Sequence, residues 1–173
     1  MDYFAAFLES TENHLIFMYV GRGTGVRDLD GDEVDGVDEA LVFDDGVIID
    51  DDLVTYLVRF KNPTSRLTLL TDAAYKDTIW DMEEKAKNGK PIPPKVLSLS
   101  AETTMQTMTE TMEAEARVEK GAFAQALTQA FRTNPEATPN DLQQLMQSTL
   151  RDAGQTYTVG TTSPELLDQP VLI

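Results

Sequence analysis

HLIFMYV, residues 14–20, is a seven-residue run that is apolar at odd and even positions alike after its leading histidine. A strand with one face in water alternates apolar and polar residues, whereas a strand of a parallel sheet covered by helices on both sides need not. The run therefore predicts a central strand buried on both faces. Two shorter runs, RLTLL at 66–70 and VLSL at 96–99, predict companion strands. Helical patterns fall around them. Tyr3 to Leu8 resembles the end of a short amphipathic helix, and Asp50 to Val58 carries its acids in the first turn, where they offset the helix dipole. Gly121 to Phe131 sets Phe123, Leu127, Ala130 and Phe131 on one stripe. Thr138 followed by Pro139 opens another helix, with Leu142, Leu145, Met146 and Leu150 toward the core. PVLI at 170–173 suggests a short last strand, NGKPIPP at 88–94 a link, and Met105 to Arg117 a long connection without an apolar face. Strands alternating with helices give an α/β fold with a mostly parallel sheet.

The totals agree. A chain of 173 residues with 41% hydrophobic content has the size of one domain with a real core. Its 30 acids and 14 bases leave a net charge of -16, which repels nucleic acid and anionic lipid and favours cations and basic protein segments as partners. Cysteine is absent, so disulfides, thiolate metal sites and thiol nucleophiles are excluded. Met1 to Phe7 has no basic start, and no stretch reaches the roughly 20 apolar residues of a membrane span. An intracellular protein, cytoplasmic by default, is the expectation.

Behind the first strand comes YVGRGTGVRDLDGDEVDGVDE, residues 19–39, a tight turn leading into a row of acids. From Asp28 to Asp52 every charged residue is acidic. Close like charges at a partly screened surface cost on the order of 1 kcal/mol per pair, and a hard cation would relieve them. Calcium, with six to eight oxygens in flexible geometry, suits such a segment best. An EF-hand is not the way it would bind. Asp28, Asp30, Asp32 and Glu39 have the offsets, but Glu33 stands where the loop needs glycine, and a strand precedes it.

The order of apolar strand, Gly-X-Gly-Thr, DLDGDEVDGVDEALV, GVIIDDDL and RLTLLTDAAYKDTIWD resembles the large-subunit region of type I metacaspases, caspase-like proteases of peptidase family C14 that cut after Arg or Lys. VLSLSAETTMQTMTE and GAFAQALTQAF are similar to the small-subunit region. The resemblance implies a caspase-like three-layer α/β/α fold over residues 1–173, large-subunit-like in 1–90 and small-subunit-like in 91–173. It also implies where the chemistry should stand. The family's histidine belongs to a Ser-Gly-His-Gly turn, and this chain has Val20-Gly21-Arg22-Gly23. Its nucleophile belongs to Asp-x-Cys-His-Ser-Gly, and this chain has Asp72-Ala73-Ala74-Tyr75-Lys76-Asp77. Arg22 and Ala74 thus replace both members of the dyad: alanine has no lone pair to attack a carbonyl, and a guanidinium is no general base. The single histidine, His14, lies at the far end of the strand.

Asp72 matches a family acid that receives the substrate's basic side chain, although a strand-end structural role fits it as well. The family's activating calcium maps onto Asp38, Asp50, Asp51 and Asp81, all present. Family members also begin with further strands, the first of which lies next to the one matching residues 14–20, so this strand is expected at an edge, covered by another chain, by a second copy or by residues outside this sequence. The reading that follows is a catalytically inactive metacaspase-like protein that binds calcium and acts through protein contacts as regulator or scaffold. The alternatives are a purely structural subunit without ion binding, and residual peptidase activity.

Overall fold

The structure, a computed structural model, describes residues 2–29, 31, 36–62, 64–73, 79–80, 82–87, 89, 92–103 and 121–172. In chain order its elements are α1 (Asp2–Leu8), β1 (His14–Val20), β2 (Arg22–Arg27), β3 (Val37–Phe43), β4 (Gly46–Ile49) and α2 (Asp50–Leu57). They are followed by β5 (Arg66–Asp72), α3 (Met82–Lys87), β6 (Val96–Thr103), α4 (Ala122–Thr133), α5 (Pro139–Asp152), β7 (Gln155–Thr161) and a 3-10 turn at Pro164–Asp168.

The main sheet runs β1-β5-β6-β7. β1 and β6 flank β5 in parallel, from His14 beside Arg66 to Val20 beside Asp72 on one side, while β7 closes the far edge antiparallel to β6. All seven residues of β5 are buried, as a strand between neighbours and beneath helices should be. Leu67 and Leu69 face one way, into a cluster with Leu8, Leu15, Leu53, Leu57 and Trp80. Leu70, Leu97 and Leu99 face the other way, against Phe123, Leu127, Leu142 and Met146 of α4 and α5. Helices therefore cover both faces.

α5 begins where its sequence says. The Thr138 hydroxyl accepts from Asp141 N–H at 3.2 Å while the Asp141 carboxylate accepts from Thr138 N–H at 3.0 Å, a capping box closed by Pro139 in the first turn.

Several expectations are corrected. β1 is buried on one face only: Leu15 and Tyr19 are covered, but Ile16, Met18 and Val20 keep 39%, 45% and 53% exposure. The cause is the reach of the second layer, because the buried cluster under α4 and α5 draws on β5 and β6 and takes no residue of β1. Residues 28–52 include strands as well as a loop: β3 and β4 form an antiparallel sheet with β2, which precedes them, though Asp30 and residues 32–35 lie outside the described residues. Its signal was present in LVFDDGVII, an Asp-Gly turn between apolar runs. Leu145 points outward at 40% exposure. Among the described residues, 170–172 form no strand; Val171 is buried and its N–H donates to Ala137 O at 3.0 Å. α3 and β7 were not foreseen. The connection at 105–117 falls outside the described residues.

Candidate functional site

In parallel α/β sheets, ligand sites form beyond the carboxyl ends of the strands. Here β1 and β5 end together and their continuations are tied by backbone hydrogen bonds: Gly21 N–H donates to Asp72 O at 3.0 Å and Gly23 N–H to Ala73 O at 2.6 Å. The Tyr19 hydroxyl donates to Val42 O at 2.6 Å and Arg22 O at 3.1 Å, binding the end of β1 to the smaller sheet. A Cβ on Gly21 would collide with the Tyr19 ring, so glycine is the residue that lets this turn close.

Arg22 stands here, exposed, at the first position of β2. Position 74 lies outside the described residues, as does Asp81; the neighbouring Ala73 is buried. Asp72 is buried too, and its Oδ2 accepts from Ala124 N–H at 2.8 Å, in the first turn of α4. Burial pushes the Asp72 carboxyl above the usual range, and the Ala124 N–H offsets part of that rise. Asp72 thus ties β5 to the positive end of a helix. His14 sits at the opposite end of β1, roughly 20 Å away at the ordinary strand rise. Its Nε2 lies 2.9 Å from Thr68 Oγ1. Burial, then the Arg66 charge, lower its pKa.

The acids form a second centre. The β3–β4 ladder ends at Ala40 beside Ile49, so Asp38 on β3 and Asp50 at the start of α2 leave from the same end of that pair. Both are buried. Asp50 and Asp51 share one partner that the sequence reading did not single out: Lys85 Nζ of α3 lies 2.6 Å from Asp50 Oδ2 and 3.2 Å from Asp51 Oδ1. Lys85 and Asp50 side chains are each 1% exposed. Burial raises the Asp50 pKa, the Lys85 hydrogen bond and charge pull it back, and the Asp51 charge adds to the rise. Among the described residues, no group of three or more His, Cys, Asp or Glu side chains is placed to hold a metal ion.

Residues 7–83 match the family described as the metacaspase, peptidase C14 domain. Over 72 residues, 39% of this chain, the sequence is 40% identical to Metacaspase-1 of Kluyveromyces lactis and to Metacaspase-1 of Meyerozyma guilliermondii. The aligned stretch is 17% and 18% of those relatives, so under a fifth of their length is matched. Metacaspase-1 of Yarrowia lipolytica is 42% identical over 72 residues, 16% of its length. Among solved structures, protein GSU0716 from Geobacter sulfurreducens superposes with a TM-score of 0.62 at 18% identity, covering 98% of this chain and 75% of that one. That likeness is one of fold alone. The chain is metacaspase-like over residues 7–83, and its mostly parallel main sheet with helices on both faces agrees with the caspase-like α/β fold that the resemblance implies.

Proposed function

We propose that this metacaspase-like chain cleaves no peptide bond and acts by contact with another polypeptide. One observation carries the reading: the tied ends of β1 and β5 present Arg22 and buried Ala73, while the chain's single histidine is engaged roughly 20 Å away beside Thr68. Peptide hydrolysis of this kind needs a nucleophile within hydrogen-bond reach of a base. Sequence position 74 is alanine, and the chain has no cysteine. Asp72, the acid that would receive a basic substrate side chain, is occupied with the first turn of α4.

The contact surface is the outer side of β1. It is an edge of the main sheet among the described residues, with Ile16, Met18 and Val20 exposed on one face. Beside it an apolar groove of about 400 Å³ is lined by Tyr3, Phe4, Phe7, Ile16, Met18 and Phe43. An extended segment added to β1 would satisfy the strand's open backbone groups and seat alternate side chains in that groove. The -16 charge disfavours a second copy and favours a basic segment. Calcium is left out of this reading because Lys85 stands between two of its four candidate ligands.

The test is turnover of fluorogenic peptides ending in Arg or Lys, with and without calcium. No turnover above an Asp72→Ala control is expected. Cleavage that Asp72→Ala suppresses overturns the reading.

A further inference from the structure

Asp50 and Asp51 open α2, where the helix dipole eases their charge, but Asp50 is almost wholly buried. A carboxylate out of water is costly without a cation, and an ammonium out of water is costly without an anion. Lys85 and the two aspartates answer each other, at 2.6 Å and 3.2 Å, with the lysine buried to the same degree as Asp50. We infer that the Lys85 ammonium is the resident cation of this cluster, standing where the resemblance to metacaspases leads one to expect calcium, so that the site is set without a divalent ion.

The chemistry makes the two cations exclusive. Calcium sits about 2.3–2.6 Å from its oxygens, so an ion on Asp50 Oδ2 would occupy the space the ammonium fills. The lysine also has the advantage of being tethered, since α3 delivers it as part of the fold and no free-ion concentration is needed to fill the place. A divalent ion would have to leave a buried ammonium among like charges or drive it out to water. The ammonium meets Asp50 at Oδ2, and Asp50 Oδ1 is buried beside it. That oxygen is one a calcium ion admitted in place of Lys85 would use.

The experiment compares wild type, Lys85→Met and Lys85→Arg after dialysis against chelator. Each is titrated with calcium by calorimetry and with terbium by luminescence sensitised through Trp80, and melting temperatures are recorded with and without calcium. Wild type and Lys85→Arg are expected to be silent to both ions. Lys85→Met is expected to melt lower than wild type, to recover on adding calcium, and to bind calcium at least about tenfold more tightly than wild type, within the 10⁻⁴–10⁻³ M range of weak oxygen sites or better. One-to-one calcium binding by wild type overturns the inference. So does a Lys85→Met chain that calcium neither binds nor refolds.

Discussion

His14 is the one side chain whose ordinary pKa, about 6.5, places its charge change near neutrality. In the folded protein, burial and the Arg66 guanidinium lower that pKa, so the neutral ring is the form the fold prefers. The sign follows directly. Above about pH 6.5 both folded and unfolded chains carry a neutral ring and the contribution is fully present; as pH falls from there toward the depressed folded value, the unfolded chain takes up the proton first and stability is lost. The His14→Gln variant has no such step. In urea melts, the stability advantage of wild type over His14→Gln is therefore expected to narrow between pH 7.5 and pH 5, and a margin constant over that range would show that the ring does not report its buried setting. At this scale the sequence was legible where a residue's chemistry is intrinsic. Arg22 and Ala74 cannot do acid-base or nucleophilic work wherever they lie. It was silent where a role depends on partners brought from far along the chain, as with Lys85, which meets aspartates 34 and 35 positions before it only once α3 has packed beside α2.

Elements are held to the sheet by single polar contacts whose loss is measurable. Asp72 accepts from the third residue of α4, so Asp72→Ala removes that acceptor and leaves a helix N–H without one, at a cost of about 1–3 kcal/mol. Asp72→Asn keeps an acceptor and sheds the charge that burial disfavours. It is expected to retain nearly all of the wild-type stability at pH 7, and a loss as large as that of alanine would mean the charge on the helix dipole is the larger effect. Thr138→Ala opens the capping box of α5 and is expected to lower stability by about 1 kcal/mol in chemical denaturation, with no change in the slope of the transition. Elements with strong local signals were readable before any coordinates: the apolar runs that became β1, β5 and β6, the periodic helix α4 and the capped helix α5. β2 and β3 were not: β2, RGTGVR, holds two glycines and a single apolar side chain, and in β3 the Ala40, Leu41 and Val42 core is too short to outweigh the acids around it. β7, QTYTVGT, is likewise a strand by tertiary pairing with β6 more than by any apolar run of its own.

For the whole molecule, the unequal coverage of the main sheet decides what it can meet. The layer of α4 and α5 stops over β5 and β6, and the consequence is the exposed stripe of Ile16, Met18 and Val20 along an edge strand. A run read as buried on both faces was thus legible as a strand of the sheet, and its open face was not, since an apolar side chain has the same letter whether a helix of its own chain or a strand of another covers it. The overall charge then selects among coverings. Association of two chains at -16 each is opposed at low salt, whereas a cationic strand is attracted, and the attraction weakens as the Debye length shrinks from about 30 Å at 0.01 M to 10 Å at 0.1 M salt. A ten-residue peptide alternating Lys and Val is therefore expected to bind at low salt, to protect the amides of residues 14–20 from hydrogen exchange, and to be released as salt is added, while a Glu-Val peptide of the same length leaves exchange unchanged. The Ile16→Lys/Met18→Lys double variant changes only partly exposed positions, so it should keep the wild-type melting temperature and lose the peptide. Light scattering completes the test. A mass near 19.2 kDa for the chain alone agrees with a foreign partner, whereas a dimer that the double variant dissolves would assign the edge to a second copy instead.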